Sequence, residues 1–345
     1  MNKKLITAVA VATLGASPAV FAAADLYGML DIGVQIVDPG SSYVGSKTFV
    51  NDTQGSGGSL LGWRTSEDLG GGLKALATLE LGMFTDTGNL DNQTTALPTA
   101  TQLFQRQIFA GLTGGFGTIT AGRHYTEIFL VGATSAYNYT AAQIGTFFLD
   151  AGIGVRQSNS IKYVSPSLGG GLNIAALYAP GEGTTATTKD NGYTEFSVRW
   201  AAGPLKVGLA SATSTATGNV DTDITALGGQ YTFGPSTVYA LLTTRETGTT
   251  VDVTATSLGY KHNLGSGDII VQVGTRKDKV TSSADSTLTS LAYYHQLSKT
   301  TTAYAAYGSM DNDTGAALSL ARQAAATGVA GDDPTAWSFG IRKTF

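Results

Sequence analysis

The chain has 345 residues, no cysteine, 45 glycines and only 13 % charged side chains, against about 25 % in a soluble globular domain. Its 21 basic and 25 acidic residues give a net charge of −4, which excludes a nucleic-acid-binding balance, and the missing thiols exclude disulfides and thiol chemistry. So low a charge content fits a surface that meets lipid rather than water.

The first predicted element is a secretory signal. Lys3 and Lys4 precede the apolar stretch Leu5 to Leu14, and small residues come after it around Pro18 to Ala24, with cleavage expected after Ala22. The apolar stretch is too short for a spanning helix. Residues 23–345 are then the exported domain, with 19 basic and 25 acidic residues and a net charge of −6. No later apolar run reaches the ~18 residues of a transmembrane helix.

The exported domain instead alternates with a period of two, the mark of strands with two different faces. Leu73, Ala75, Ala77, Leu79, Leu81 and Met83 share one face, while Lys74, Leu76, Thr78, Glu80 and Gly82 share the other. The pattern returns at Pro204 to Ala210, at Asp268 to Arg276, and in the closing run Trp337, Phe339, Ile341, Lys343, Phe345. Sixteen such segments begin near residues 26, 60, 73, 102, 116, 158, 172, 191, 204, 223, 236, 255, 268, 287, 300 and 336. An unpaired backbone group in hydrocarbon costs several kcal/mol, so the sheet has to close on itself, and an even antiparallel count allows it. The predicted fold is therefore all-β, a sixteen-stranded antiparallel transmembrane barrel in residues 23–345.

The connections alternate in kind. Seven are short and rich in Gly and Pro, such as Gly70-Gly71, Ala202-Gly203-Pro204 and Gly234-Pro235, as sharp turns require. Eight are longer and polar, near 38–59, 86–101, 124–157, 180–190, 214–222, 246–254, 279–286 and 311–335. Short periplasmic turns and long extracellular loops are the barrel's expected arrangement. Tyr27, Trp63, Trp200, Tyr231, Phe233, Tyr260, Trp337 and Phe345 stand near strand ends, where interface girdles form. Sixteen strands leave an aqueous lumen, and diffusion of small hydrophilic solutes is the expected function.

LYGMLDIGV (26–34), LGWRTSEDLGGGLKA (61–75), LFQRQIFAGL (103–112), FGTITAGR (116–123), NSIKYVSPSLGGGL (159–172) and WSFGIRKTF (337–345) together resemble the Gram-negative general porin family. The resemblance implies a homotrimer in the outer membrane, in contact with lipids and lipopolysaccharide. It also implies a third loop, 124–157, that folds into the lumen, and an assembly signal at Phe345 that the outer-membrane assembly machinery reads. In that family a wall of basic side chains faces acids on the inward loop. Matched to it here are Arg64, Arg106, Arg123, Arg156 and Lys162 on the wall, with Glu127, Asp150, Phe147 and Phe148 on the loop.

This chain departs from the family pattern at Leu60 and Met29, where relatives often carry bases, and at the loop tip TAAQIGTFFLDAGIGV. A less charged and more apolar constriction is implied. The acidic outer loops favour cations within a Debye length of about 8 Å. The basic narrow zone favours anions, and mild anion selectivity is the expectation. Lumenal arginines also pair with acids such as Glu80 or Asp31, so two of the five bases are expected to be structural.

No HExxH, G-x-S-x-G or phosphate-loop motif is present, and neither a cofactor nor a metal is expected. Three alternatives share the fold: a solute-selective channel, a plugged or adhesive barrel without conductance, and a hydrolase with its base at His124.

Overall fold

The alternating segments become strands whose backbone groups are paired on both sides. A computed structural model describes residues 23–51, 58–90, 102–135, 154–182, 190–320 and 328–345. Its strands are β1 (Ala23–Asp38), β2 (Lys47–Asn51), β3 (Ser59–Gly70), β4 (Leu73–Met83), β5 (Gln107–Gly114), β6 (Gly117–Tyr125), β7 (Arg156–Val164), β8 (Leu172–Ala179) and β9 (Tyr193–Ala202). They continue through β10 (Leu205–Ala216), β11 (Val220–Phe233), β12 (Ser236–Thr247), β13 (Val251–Asn263), β14 (Gly267–Asp278), β15 (Ser286–Ser298), β16 (Thr301–Asn312) and β17 (Thr335–Thr344). A helix, α1 (Glu127–Ser135), comes directly after β6.

Neighbours in sequence pair antiparallel, and β1 meets β17 from Met29↔Thr344 to Asp38↔Thr335, which closes the sheet. The seventeen segments occupy sixteen positions in the wall. β2 pairs with Gly33–Val37 of β1 and β3 with Ala23–Met29, so those two segments share one position. Closure leaves no unpaired edge facing lipid, as the hydrocarbon requires. At the seam Gly28 and Phe345 exchange backbone hydrogen bonds of 3.0 and 3.1 Å. A Cβ on Gly28 would overlap the Phe345 ring.

Burial is inverted relative to a water-soluble protein. On β17 the outward Trp337, Phe339 and Ile341 stay almost half exposed while the inward Ala336 and Ser338 are fully buried. On β14, Ile269, Val271 and Val273 face out while Ile270 and Gln272 are buried inside. Each large aliphatic side chain is worth roughly 1.5–3 kcal/mol when removed from water, so this outer belt is stable only against lipid.

The strands are longer than the apolar alternation suggests in one quadrant. The connections expected at 214–222 and 246–254 are three-residue turns, because β10 pairs with β11 up to Ala216↔Val220 and β12 with β13 up to Thr247↔Val251. Above the lipid both faces of these strands are polar, so the two-residue signal fades although pairing continues. Thr213 to Asp223 and Thr215 to Asp221 hydrogen bonds of 2.6 and 2.7 Å take over there. Gly218 and Asn219, with φ of 86° and 60°, make the turn. The first long connection is also partly strand, as β2 shows.

The main apolar core lies inside the barrel, where Ile128 and Val131 of α1 pack on Leu177, Ala210, Ala212, Ile224, Ala226 and Leu241 of the inner wall. The start of the third connection, α1, therefore enters the lumen and is seated against β8 to β12.

Candidate functional site

Five strands and the start of the third loop converge on a ladder of cations interleaved with phenols. Alternation turns Tyr27 of β1, Arg64 of β3 and Glu80 of β4 inward, and Arg106 stands just before β5. The Tyr27 hydroxyl donates to Glu80 Oε2 at 3.0 Å, and Arg106 Nε donates to Glu80 Oε1 at 2.6 Å. Arg106 Nη2 and Arg156 Nη2 both donate to the Tyr125 hydroxyl, at 2.7 and 3.2 Å, and that hydroxyl donates its own proton to Glu80 at 3.3 Å. The Arg156 guanidinium stands 4.8 Å from the Tyr125 ring centroid, and that of Arg64 stands 5.3 Å from the Tyr27 ring. A phenol can accept from one guanidinium and offer its ring face to another. The tyrosines thus hold three arginines close together without adding negative charge.

The charge balance of this ladder is positive. Arg106 and Glu80 form a buried pair, whereas Arg64 meets Asp25 at 3.2 Å with both side chains more than 60 % exposed. Exposed pairs are screened and weak, about 0–1 kcal/mol. Arg156 has no carboxylate partner among the described residues.

A second cluster fixes α1. Glu127 is fully buried, with Lys162 Nζ 2.7 Å from Oε1, Arg199 Nε 3.2 Å from Oε2, and the Ser197 hydroxyl donating to Oε2 at 2.7 Å. Burial alone would raise this carboxyl, but the charges of Lys162 and Arg199 outweigh it and hold Glu127 below the usual carboxylate range. From β9, Glu195 accepts the backbone N–H groups of Glu127 and Ile128 at 2.7 Å each, and Tyr193 donates to it at 3.2 Å. A carboxylate at a helix N-terminus satisfies unpaired donors and meets the positive end of the helix dipole. Thr126 caps the same end by accepting from Phe129 N–H at 3.2 Å.

Glycines make the seat. Gly208 and Gly228 face each other across β10 and β11. A Cβ on Gly208 would lie 2.9 Å from Val131 Cγ2, and one on Gly228 would overlap Ser135.

The five bases matched from sequence divide three ways. Arg64, Arg106 and Arg156 form the ladder. Lys162 does face inward, but it is tied to Glu127 and donates to the Tyr125 carbonyl at 2.9 Å. Arg123 pairs across from the outward Ile108 and sits between the inward Gly122 and His124, so the pleat starts it on the other face. Its guanidinium clasps the Gln105 carbonyl and the Ser158 hydroxyl, both at 2.7 Å.

Among the loop residues, Glu127 is an anchor in the wall and not an open acid, while Phe147, Phe148 and Asp150 lie outside the described residues. Phe345 stands half exposed at the seam. Tyr27, expected in a lipid girdle, points into the lumen toward Glu80 because it shares the inner face with Asp31 and Gln35. Sequence reading missed Tyr125, Glu195 and Arg199. The inward set Tyr193, Glu195, Ser197, Arg199 alternates against Thr194, Phe196, Val198, Trp200, and that signal could have located two of the three.

The Gram-negative porin family profile matches residues 7–315. Outer membrane porin protein 32 of Delftia acidovorans is 34 % identical over 237 residues, 65 % of this chain and 63 % of that protein. Major outer membrane protein P.IB of Neisseria gonorrhoeae is 32 % identical over 185 residues, 52 % of this chain and 49 % of the relative. The chain thus spans between about half and just under two thirds of these relatives' length. Among solved structures, an anion-selective porin from Comamonas acidovorans superposes with a TM-score of 0.82 at 27 % identity, over 94 % of this chain and all of that one. Alternating strands closed into a barrel, an inward helix and this profile lead to one conclusion: the chain belongs to the Gram-negative porin family.

Proposed function

We propose that the protein is a water-filled outer-membrane channel for passive diffusion of small hydrophilic solutes and ions, with a preference for anions. The observation that carries this reading is the positive excess of the ladder, where Arg64, Arg106 and Arg156 face one buried carboxylate, Glu80, and one screened carboxylate, Asp25. Low-dielectric walls strengthen such a field, and ion preference follows the local charge. The similar Comamonas protein is described as anion-selective, which agrees in sign. The working assembly is a homotrimer embedded in outer-membrane lipid and lipopolysaccharide, with Phe345 as the proposed assembly signal; an outer membrane protein of Vibrio cholerae that shares the fold is described in a trimer form.

A channel is favoured over a hydrolase by the setting of His124. Its Nδ1 lies 2.8 Å from Ser160 Oγ, but that hydroxyl also reaches the Gly122 and Gln157 carbonyls at 3.0 and 3.1 Å, and both residues are buried. A serine so occupied offers no accessible nucleophile.

Single-channel recording in planar bilayers tests the reading. Discrete current steps and a reversal potential of anion-selective sign in a potassium chloride gradient are expected. A cation-selective sign would overturn the charge argument, and silence from folded, inserted protein would overturn the channel.

A further inference from the structure

Beside the ladder lies a partly enclosed cavity of about 540 Å³, lined by Arg64, Tyr125 and Leu130 of α1 among others. A water-filled wall of this kind is expected to show polar inward positions, and Thr78, Thr118 and Thr120 fit that expectation. Four inward side chains do not. Leu76 of β4, Phe109 of β5, Val164 of β7 and Leu130 of α1 all line the cavity and give it an apolar shelf. Phe109 is stacked on the His124 ring, with centroids 4.9 Å apart and planes 24° apart, so the shelf carries a flat aromatic patch.

The charges around the shelf are unequal. Lys162 lines the cavity, but its ammonium is tied to Glu127 at 2.7 Å and to the Tyr125 carbonyl at 2.9 Å. Arg64 also lines it, 62 % exposed and paired with the exposed Asp25, the one acid among the described residues of the lining.

We propose that this cavity is a subsite for aromatic monocarboxylates, with the ring on the Phe109 and Leu76 shelf and the carboxylate on Arg64. The inference rests on the channel reading above and adds a solute class to it. One accessible guanidinium favours a single carboxylate, which it can grip through two parallel hydrogen bonds. A planar apolar body favours the stacked patch through area burial and offset ring contact. Aliphatic anions of the same charge gain only the first of these terms, and neutral aromatics only the second.

The test is current block in planar bilayers, with chloride steps first showing that the inserted channel is open. Benzoate added at rising concentration is expected to reduce or interrupt the current saturably, and equal concentrations of acetate or benzyl alcohol are expected to do so at least about tenfold more weakly, the ratio that ~1.4 kcal/mol of ring contact produces. Phe109→Thr should bring benzoate down to the acetate level, and Arg64→Ser should bring it down to the benzyl alcohol level, each in channels whose chloride steps show folding. Saturation-transfer NMR of benzoate with the detergent-folded protein gives a second readout that needs no conductance. Benzoate no stronger than acetate in the unsubstituted channel, or block and NMR signal that survive Phe109→Thr unchanged, would overturn the subsite while leaving the pore intact. Absence of any chloride current would sink the pore reading, and the subsite with it.

Discussion

Gly228 of β11 touches Ser135 of α1 so closely that no Cβ fits between wall and helix. Together with Gly208, which accommodates Val131 in the same way, it sets how deeply α1 lies against the wall. Gly228→Val should lift the end of α1 off the wall, destabilise its seating by about 1–3 kcal/mol as overpacking does, and lower single-channel conductance. An unchanged conductance would show that the helix does not bound the open lumen.

Glu80 is the buried acid of the arginine ladder. Glu80→Gln keeps an acceptor for Arg106 and removes the charge, so the reversal potential in a salt gradient should move further toward anion selectivity. Arg156→Ala should move it the other way. Arg106→Ala leaves Glu80 buried without its ion partner, a loss of about 3–5 kcal/mol, and should lower the temperature at which the barrel loses heat-modifiable mobility. The ladder loses its assigned role if the two charge changes move selectivity in the same direction.

The Glu127 anchor makes the seating of α1 acid-sensitive with a definite sign. Its carboxyl is held below the usual range by Lys162 and Arg199, against the opposing effect of burial. A depressed folded value means that the stabilisation is fully present above the unfolded carboxyl value of about 4.3 and is lost as pH falls through the folded value. Hydrogen exchange of the α1 amides should therefore stay slow from pH 7 down to about 4.3 and accelerate only below it. Glu127→Gln should show the accelerated exchange already at pH 7, and slow exchange in that variant would mean that the ion pairs are not what holds the helix.

Glu195 performs a separate service at the same helix end, accepting two backbone N–H groups from its place on the adjoining strand β9. Glu195→Ala strips those acceptors and leaves the donors buried, a change of about 1–3 kcal/mol. The measurement is protease cleavage of the folded barrel mapped by mass spectrometry. New cuts within α1, residues 127–135, are expected, with the strands left intact.

The wall was readable from sequence because lipid and water impose opposite chemistry on alternate side chains. Leu73 to Met83 follows that rule except at the inward Leu76, and Trp337 to Phe345 follows it except at Lys343. The three-residue turns at 217–219 and 248–250 were not readable, since above the membrane water lies on both sides and Thr213, Thr215, Asp221 and Asp223 give no contrast. The ladder was half readable. Arg64, Arg106 and Arg156 stood out as cations, but their partners Tyr27 and Tyr125 resemble girdle aromatics until register shows which way they point. Arg123 misled because a motif match does not state the face, whereas its pairing with Ile108 does.

Where β10 to β13 rise past the bilayer and turn in three residues, the channel mouth is bounded by hydrogen-bonded sheet. That quadrant is a stiff lip. Bending it over the entrance would break ladder hydrogen bonds from Ala216↔Val220 and Thr247↔Val251 downward. Antibodies or phages that grip this lip would meet a rigid, threonine-rich edge, and would leave the current unaltered unless their own bulk covers the opening.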